Sequence, residues 1–306
     1  MAGKYLSRED YIQTAESAAK FYCERDLANG VFTAGPEEIL QAPDSESSFN
    51  FLDALVTLWE VTGNSIWLGA AEKMAKQCAT WVVAYDYAFP ENSTFANMGM
   101  KTTGTVYANA QNRHSAPGIC TGSGIALLKL FRATGNRSYL ELLEEIARAI
   151  PQYLSREDRP IPVLPKLNPD KSCLKPGWMN ERVNMADWEE SFHNEQGGWC
   201  VPRGEIFAGS CWCEVALLLT TVELPGIYIQ KDTGVCAVFD NIDCRIVKQD
   251  GDSVELEINN PTKFDAEVAI MSELSSESEE LLQAAPSGAY KKVIVAAQSA
   301  VTITVQ

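Results

Sequence analysis

Apolar residues recur at helical spacing through residues 54–82, "ALVTLWEVTGNSIWLGAAEKMAKQCATWV", and again through 126–154, "ALLKLFRATGNRSYLELLEEIARAIPQYL". At an offset of 72 positions, Ala54 and Ala126, Leu55 and Leu127, Leu58 and Leu130, Thr-Gly-Asn 62–64 and 134–136, Leu68 and Leu140, Glu72 and Glu144, and Ala75 and Ala147 coincide. Each copy reads as two helices broken by a tight Thr-Gly-Asn turn, so the chain carries a repeated helical hairpin. Residues 8–28 predict a further amphipathic helix, with Ser7 as its cap and Asp10 three residues on, and 205–222 predict another. The hexapeptide "YLSRED" occurs at 5–10 and 153–158, but the second copy runs into a proline-rich stretch that cannot continue a helix.

From about residue 236 the period changes from helical to two. "SVELEIN" (253–259), "DAEVAIM" (265–271) and "AVTITV" (300–305) alternate apolar and polar residues as half-buried strands do, with "NNPT" (259–262) supplying a turn. The division expected is a helical domain over 1–234 and a small antiparallel, sandwich-like β domain over 235–306, with the boundary near "LPGIYIQKDTG" (224–234).

The connections are asymmetric. The hairpin turns are minimal, whereas 29–47, 88–120 and 155–204 are long and should emerge at one end of the helical array, where a site is expected. They carry Asp44 and Glu46, then Tyr107, Asn109, Asn112, Arg113 and His114, then Trp178, Glu181, Arg182, Asn184, Asp187, Trp188, Glu189 and Glu190. Helix N-termini facing the same cleft would add donors.

The hairpin repeats, the long connectors with "DWEE" and the appended β domain together resemble the (α/α) toroid enzymes called six-hairpin glycosidases, with the related polysaccharide lyases. The resemblance covers residues 5–306 at the level of architecture and implies a mostly α fold, a toroid or partial toroid of helical hairpins. A complete ring has twelve helices, and about six or seven are legible here. Either the missing helices precede this chain, or the arc is open, or another subunit, including a second copy, completes it, since an open arc exposes apolar faces that a partner normally covers.

The chemistry implied is carbohydrate cleavage. Glycoside hydrolysis needs one protonated and one ionised carboxyl group, roughly 6.5–9.5 Å apart for inversion. Asp187, Glu189, Glu181 and Asp44 are the carboxylates available, with Trp178 and Trp188 to stack on sugar faces and Arg182 to hold substrate. Elimination from a uronate would instead draw on His114, Tyr107, Asn112 and Arg113. Plainer roles compete for several of these residues. Asp44 and Glu46 suit a helix cap, His114 a packed loop histidine, and Asp187 with Glu189 and Glu190 a solvated acidic cluster. A third reading is a non-catalytic glycan-binding or assembly subunit. His193 is expected to be exposed, and Trp212 and Leu217–Leu219 to lie in the core.

Composition narrows the partners. With 41 acidic against 25 basic residues the net charge is −16, which opposes binding to nucleic acid or to an anionic membrane surface. No apolar run is long enough to span a bilayer, and "MAGKYLSRED" has no export-signal core, which favours cytoplasm unless a signal was removed. The nine cysteines form no compact framework and read as reduced and buried. Cys211 and Cys213, with Cys200 and His193 nearby, invite a zinc site. Residues two apart on a helix, however, point roughly 200° away from each other, so no metal and no cofactor is expected. The glycines at 118, 122 and 124 lack the preceding strand and following lysine of a phosphate loop.

Overall fold

The computed structural model describes residues 1–33, 42–110, 114–163, 172–190, 199–206, 211–278 and 290–306, with the backbone alone at 188–190, 199–200 and 277–278. The helices are α1 (Ala2–Tyr5), α2 (Glu9–Arg25), α3 (Ser45–Thr62), α4 (Ser65–Ala79), α5 (Thr94–Asn97), α6 (Ile125–Thr134), α7 (Ser138–Ala149), α8 (Cys211–Glu223) and α9 (Ser275–Ser278). The strands are β1 (Val106–Tyr107), β2 (Ser115–Ala116), β3 (Trp188–Glu190), β4 (Trp199–Val201), β5 (Ile227–Gln230), β6 (Val235–Val238), β7 (Asp243–Asp250), β8 (Ser253–Asn260), β9 (Ala266–Glu273), β10 (Lys291–Val295) and β11 (Ser299–Val305). Two compact units result, one from residues 1–123 and 149–218, the other from 124–148 and 219–306. Among the described residues no helix is long and apolar enough to cross a membrane.

Both Thr-Gly-Asn junctions are built alike. Gly63 and Gly135 take left-handed φ values of 67° and 69° and close α3 and α6, each N–H donating at 2.7 Å, to the carbonyls of Trp59 and Phe131. Thr62 Oγ1 donates to the Leu58 carbonyl at 2.8 Å, and Thr134 Oγ1 to that of Leu130 at 2.7 Å. Asn64 and Asn136 then cap the next helix, their Oδ1 atoms accepting from the backbone N–H of Ile66 at 3.1 Å and Ser138 at 3.2 Å. Glycine supplies the left-handed residue, and asparagine satisfies a free donor of the following turn.

The toroid expected from that repeat is not formed. Of the described residues 40% are helical and 23% strand, so they make neither a mostly α fold nor a ring of helical hairpins. The two hairpins fall in different units, α3–α4 in the first and α6 with nearly all of α7 in the second. The segments that the sequence offers as long loops instead make a fold of their own. In the first unit isolated β-bridges join Asp44 to Asn109, Val82 to Val106, Ser115 to Val183, Leu154 to Met179 and Pro162 to Cys173, besides the small β1–β2 and β3–β4 ribbons. Phe95, Met100, Ile161, Val163, Leu174, Met179, Val183 and Ile206 from these segments pack with Ile150, Tyr153 and Cys213 into one buried core. Apolar side chains spread through the connectors gave them a core, and backbone bridging satisfied their polar groups.

Local expectations also shift. Ser7 does not cap α2; its backbone is left-handed, at φ 53°, and closes the turn after α1, leaving Arg8 at the helix start without a side-chain cap. The helix expected over 205–222 is seen from Cys211, and Glu205 lies outside it, its carboxylate accepting from Thr94 N–H at 3.2 Å and Thr94 Oγ1 at 2.7 Å at the start of α5.

In the second unit the sheet orders are β10-β9-β5-β6 and β11-β8-β7. Inward residues of both, among them Ile227, Ile229, Val238, Val254, Leu256, Ile258, Val268, Ile270 and Val295, share one core. The period-two segments fall on β8, β9 and β11, but β5 pairs with β9 in parallel, so the unit is not purely antiparallel.

Candidate active site

The first unit gathers its polar side chains where two connectors cross α3 and α8. Ser115 and Val183 exchange backbone hydrogen bonds at 2.8 and 3.2 Å, which sets His114 beside Arg182. His114 is 4% exposed, and its Nδ1 lies 2.8 Å from the Ser115 carbonyl oxygen. A carbonyl can only accept, so Nδ1 carries the proton and Nε2 presents a lone pair. That Nε2 has no hydrogen-bond partner among the described residues. Burial and then the Arg182 guanidinium push the imidazole down to about 4, so the ring is neutral at pH 7.

Beyond His114 the chain turns at Gly118, whose φ is 81° and whose missing Cβ would lie 2.7 Å from Ile150 Cδ1. Cys120 follows and its thiol hydrogen-bonds the carboxylate of Glu46, in the first turn of α3. Burial raises the Glu46 carboxyl above the usual range against the opposing effect of that thiol, and neighbouring Asp44 adds to the rise. Burial, then Glu46, and more weakly Glu181 push the Cys120 thiol up to about 12. Glu181 also acts on Cys213, whose Sγ donates to the Glu181 carbonyl at 3.7 Å and whose thiol is pushed up by burial, Glu181 and Glu214. Glu214, next on α8, accepts the Met179 N–H at 2.7 Å. Glu46, Glu181 and Glu214 thus surround two protonated thiols.

Of the residues singled out from the sequence, the structure brings together His114, Arg182 and Glu181. Tyr107 is near them in the backbone, paired with Ser115 across β1–β2, while its ring stacks on Trp81 at 6.5 Å and 17°. Trp178 precedes this cluster, 47% exposed, with Lys175 Nζ 5.5 Å from its ring centre. Asp44 is buried as the N-cap of α3, accepting from the Ser47 N–H at 2.6 Å and the Ser47 hydroxyl at 2.9 Å. Asp187 stands on the surface, its carboxylate held down by Arg203, with Arg203 Nε and Asp187 Oδ1 3.2 Å apart. Trp188 and Glu189 lie on β3, opposite Val201 and Cys200 of β4. Asn112, Arg113 and His193 lie outside the described residues.

Sequence reasoning missed Cys120 and Glu214, weighed Cys213 only as a zinc ligand, and read Glu46 as part of a cap. The usable signal was α8's period, which leaves Cys211 exposed and Cys213 buried. No group of three His, Cys, Asp or Glu side chains that could hold a metal ion occurs among the described residues. No protein-family model and no curated protein sequence matches this chain.

Proposed function

We propose that this chain is a carbohydrate-active enzyme, a glycoside hydrolase, with Glu46 as general acid and Glu181 as the second carboxyl group. The reading is carried by one observation: Glu46 is a half-buried carboxyl whose proton is held more tightly than usual, and it hydrogen-bonds the Cys120 thiol, on which a second acid, Glu181, acts electrostatically. Glycosidic cleavage asks for that division, one carboxyl able to donate to the leaving oxygen and one able to activate water or attack carbon. The exposed Trp178 ring offers a face for a sugar.

Elimination from a uronate is favoured by a different observation, the neutral His114 beside Arg182, since a lyase needs a free base next to a cation that offsets the substrate carboxylate. The experiment is a screen of defined oligosaccharides, following reducing ends and the ultraviolet absorbance of unsaturated uronates, on the wild type and Glu46→Gln. New reducing ends without absorbance, lost by at least a hundredfold in Glu46→Gln, are expected. Absorbance that survives Glu46→Gln selects the lyase reading. Glycan binding without turnover in the wild type makes the chain a binding module and overturns both.

A further inference from the structure

β6 and β7 are each the outermost strand of their sheet, and residues 239–242 join them. Cys236 stands opposite Ile229 of β5, and Cys244 opposite Ile258 of β8. Both side chains turn inward against the core that the two sheets share, Cys236 on the same face as Val238 and Cys244 on the same face as Ile246. Both are free thiols, half-buried, and they are hydrogen-bonded to each other. The Cys236 S–H donating to the Cys244 sulfur lowers the Cys244 thiol from its usual range, and that bond, burial and then the Glu144 carboxylate push Cys236 up. Cys244 is therefore the thiol that ionises first.

We propose that Cys236 and Cys244 form a thiol–disulfide exchange pair that links the two sheets covalently when the chain meets a small-molecule disulfide. The Cys244 thiolate attacks one sulfur of the disulfide RSSR; that S–S bond breaks and RS⁻ leaves, taking a proton from water. Cys236, losing its proton to solvent, then attacks the Cys244 sulfur of the mixed disulfide and expels the second RSH. One RSSR is reduced to two RSH, and two cysteine thiols are oxidised to one disulfide. The bridge closes a short loop at the edge of the sandwich, where no further strand among the described residues holds β6 to β7, and it limits the freedom of the unfolded chain. The proposal is independent of the glycosidase reading, because every residue it uses lies in the second unit.

The test incubates the full chain with glutathione disulfide, quenches with N-ethylmaleimide and maps the peptides. The expected result is a peptide joined through Cys236 and Cys244 in the wild type, reversed by dithiothreitol, with Tm higher by several degrees in the bridged form. Cys236→Ser should trap glutathione on Cys244, whereas Cys244→Ser should leave Cys236 far less modified. Separate alkylation of both thiols in the wild type at every disulfide concentration, with no joined peptide, overturns the proposal. Equal capture of glutathione by the two serine variants overturns the assigned order of attack.

Discussion

Arg132 and Glu273 meet inside the second unit in a two-pronged ion pair, Nε to Oε1 at 2.9 Å and Nη2 to Oε2 at 2.7 Å, with side chains only 2% and 4% exposed. They lie 141 positions apart, on α6 and at the end of β9, so the pair fixes a helix against a strand that the chain reaches much later. Removing one partner strands a charge away from water. Glu273→Ala should therefore lower stability by about 3–5 kcal/mol, while the double change Arg132→Met with Glu273→Leu should recover most of that loss. Guanidinium unfolding of the three proteins measures both.

His114 makes the fold sensitive to acid. Its folded value of about 4 lies below the ordinary 6.5, so the unfolded chain binds the extra proton more readily. The contribution is complete above pH 6.5, falls as the pH drops from there to about 4, and amounts to about 3 kcal/mol in all. Urea midpoints taken between pH 7.5 and 4.5 should show this decline. His114→Gln should flatten that part of the curve; a slope unchanged in the variant would assign the acid sensitivity elsewhere.

The two hairpin joints should behave as equals. Asn64→Ala and Asn136→Ala each delete the acceptor at the start of the hairpin's second helix, Asn136 losing the Ser138 hydroxyl at 2.9 Å as well, and each should cost about 1 kcal/mol. Thermal unfolding of the single variants gives the comparison directly.

Glycines with the same sign of φ should not behave as equals. An alanine at Gly63 meets open space and suffers only the left-handed backbone, about 1–2 kcal/mol. At Gly118 the new methyl group would also press on Ile150 at 2.7 Å, so Gly118→Ala should cost clearly more. If Glu46 and its neighbours turn over a substrate, the same change should reduce that rate, since Gly118 sets the path into Cys120.

What could be read from the sequence was local. The Thr-Gly-Asn joints, the strands β8, β9 and β11 and the helical cap at Asp44 all follow from backbone preferences within a few residues, and such preferences are written in adjacent positions. The ring of hairpins failed because a repeat states that two segments fold alike, not that the intervening chain stays irregular. Within 88–120 and 155–204 the core residues Phe95, Met100, Ile161, Leu174 and Met179 have neither helical nor alternating spacing, so no periodicity announced that they would meet. The site divided in the same way. His114, Glu181 and Arg182 stood out as polar groups in the long connectors, whereas Glu46 and Cys120 are joined only through the tertiary fold, 74 positions apart.

The connector core also sets how freely these segments can vary. A surface loop ordinarily accepts added or lost residues at little cost, because nothing beneath it depends on its length. Here the stretches bearing His114, Glu181 and Arg182 run directly beside Ser115, Met179 and Val183, which are buried to 0%. An insertion between them would pull those anchors out of place, so the polar groups are held in register by the very residues that deny their carriers a loop's usual latitude.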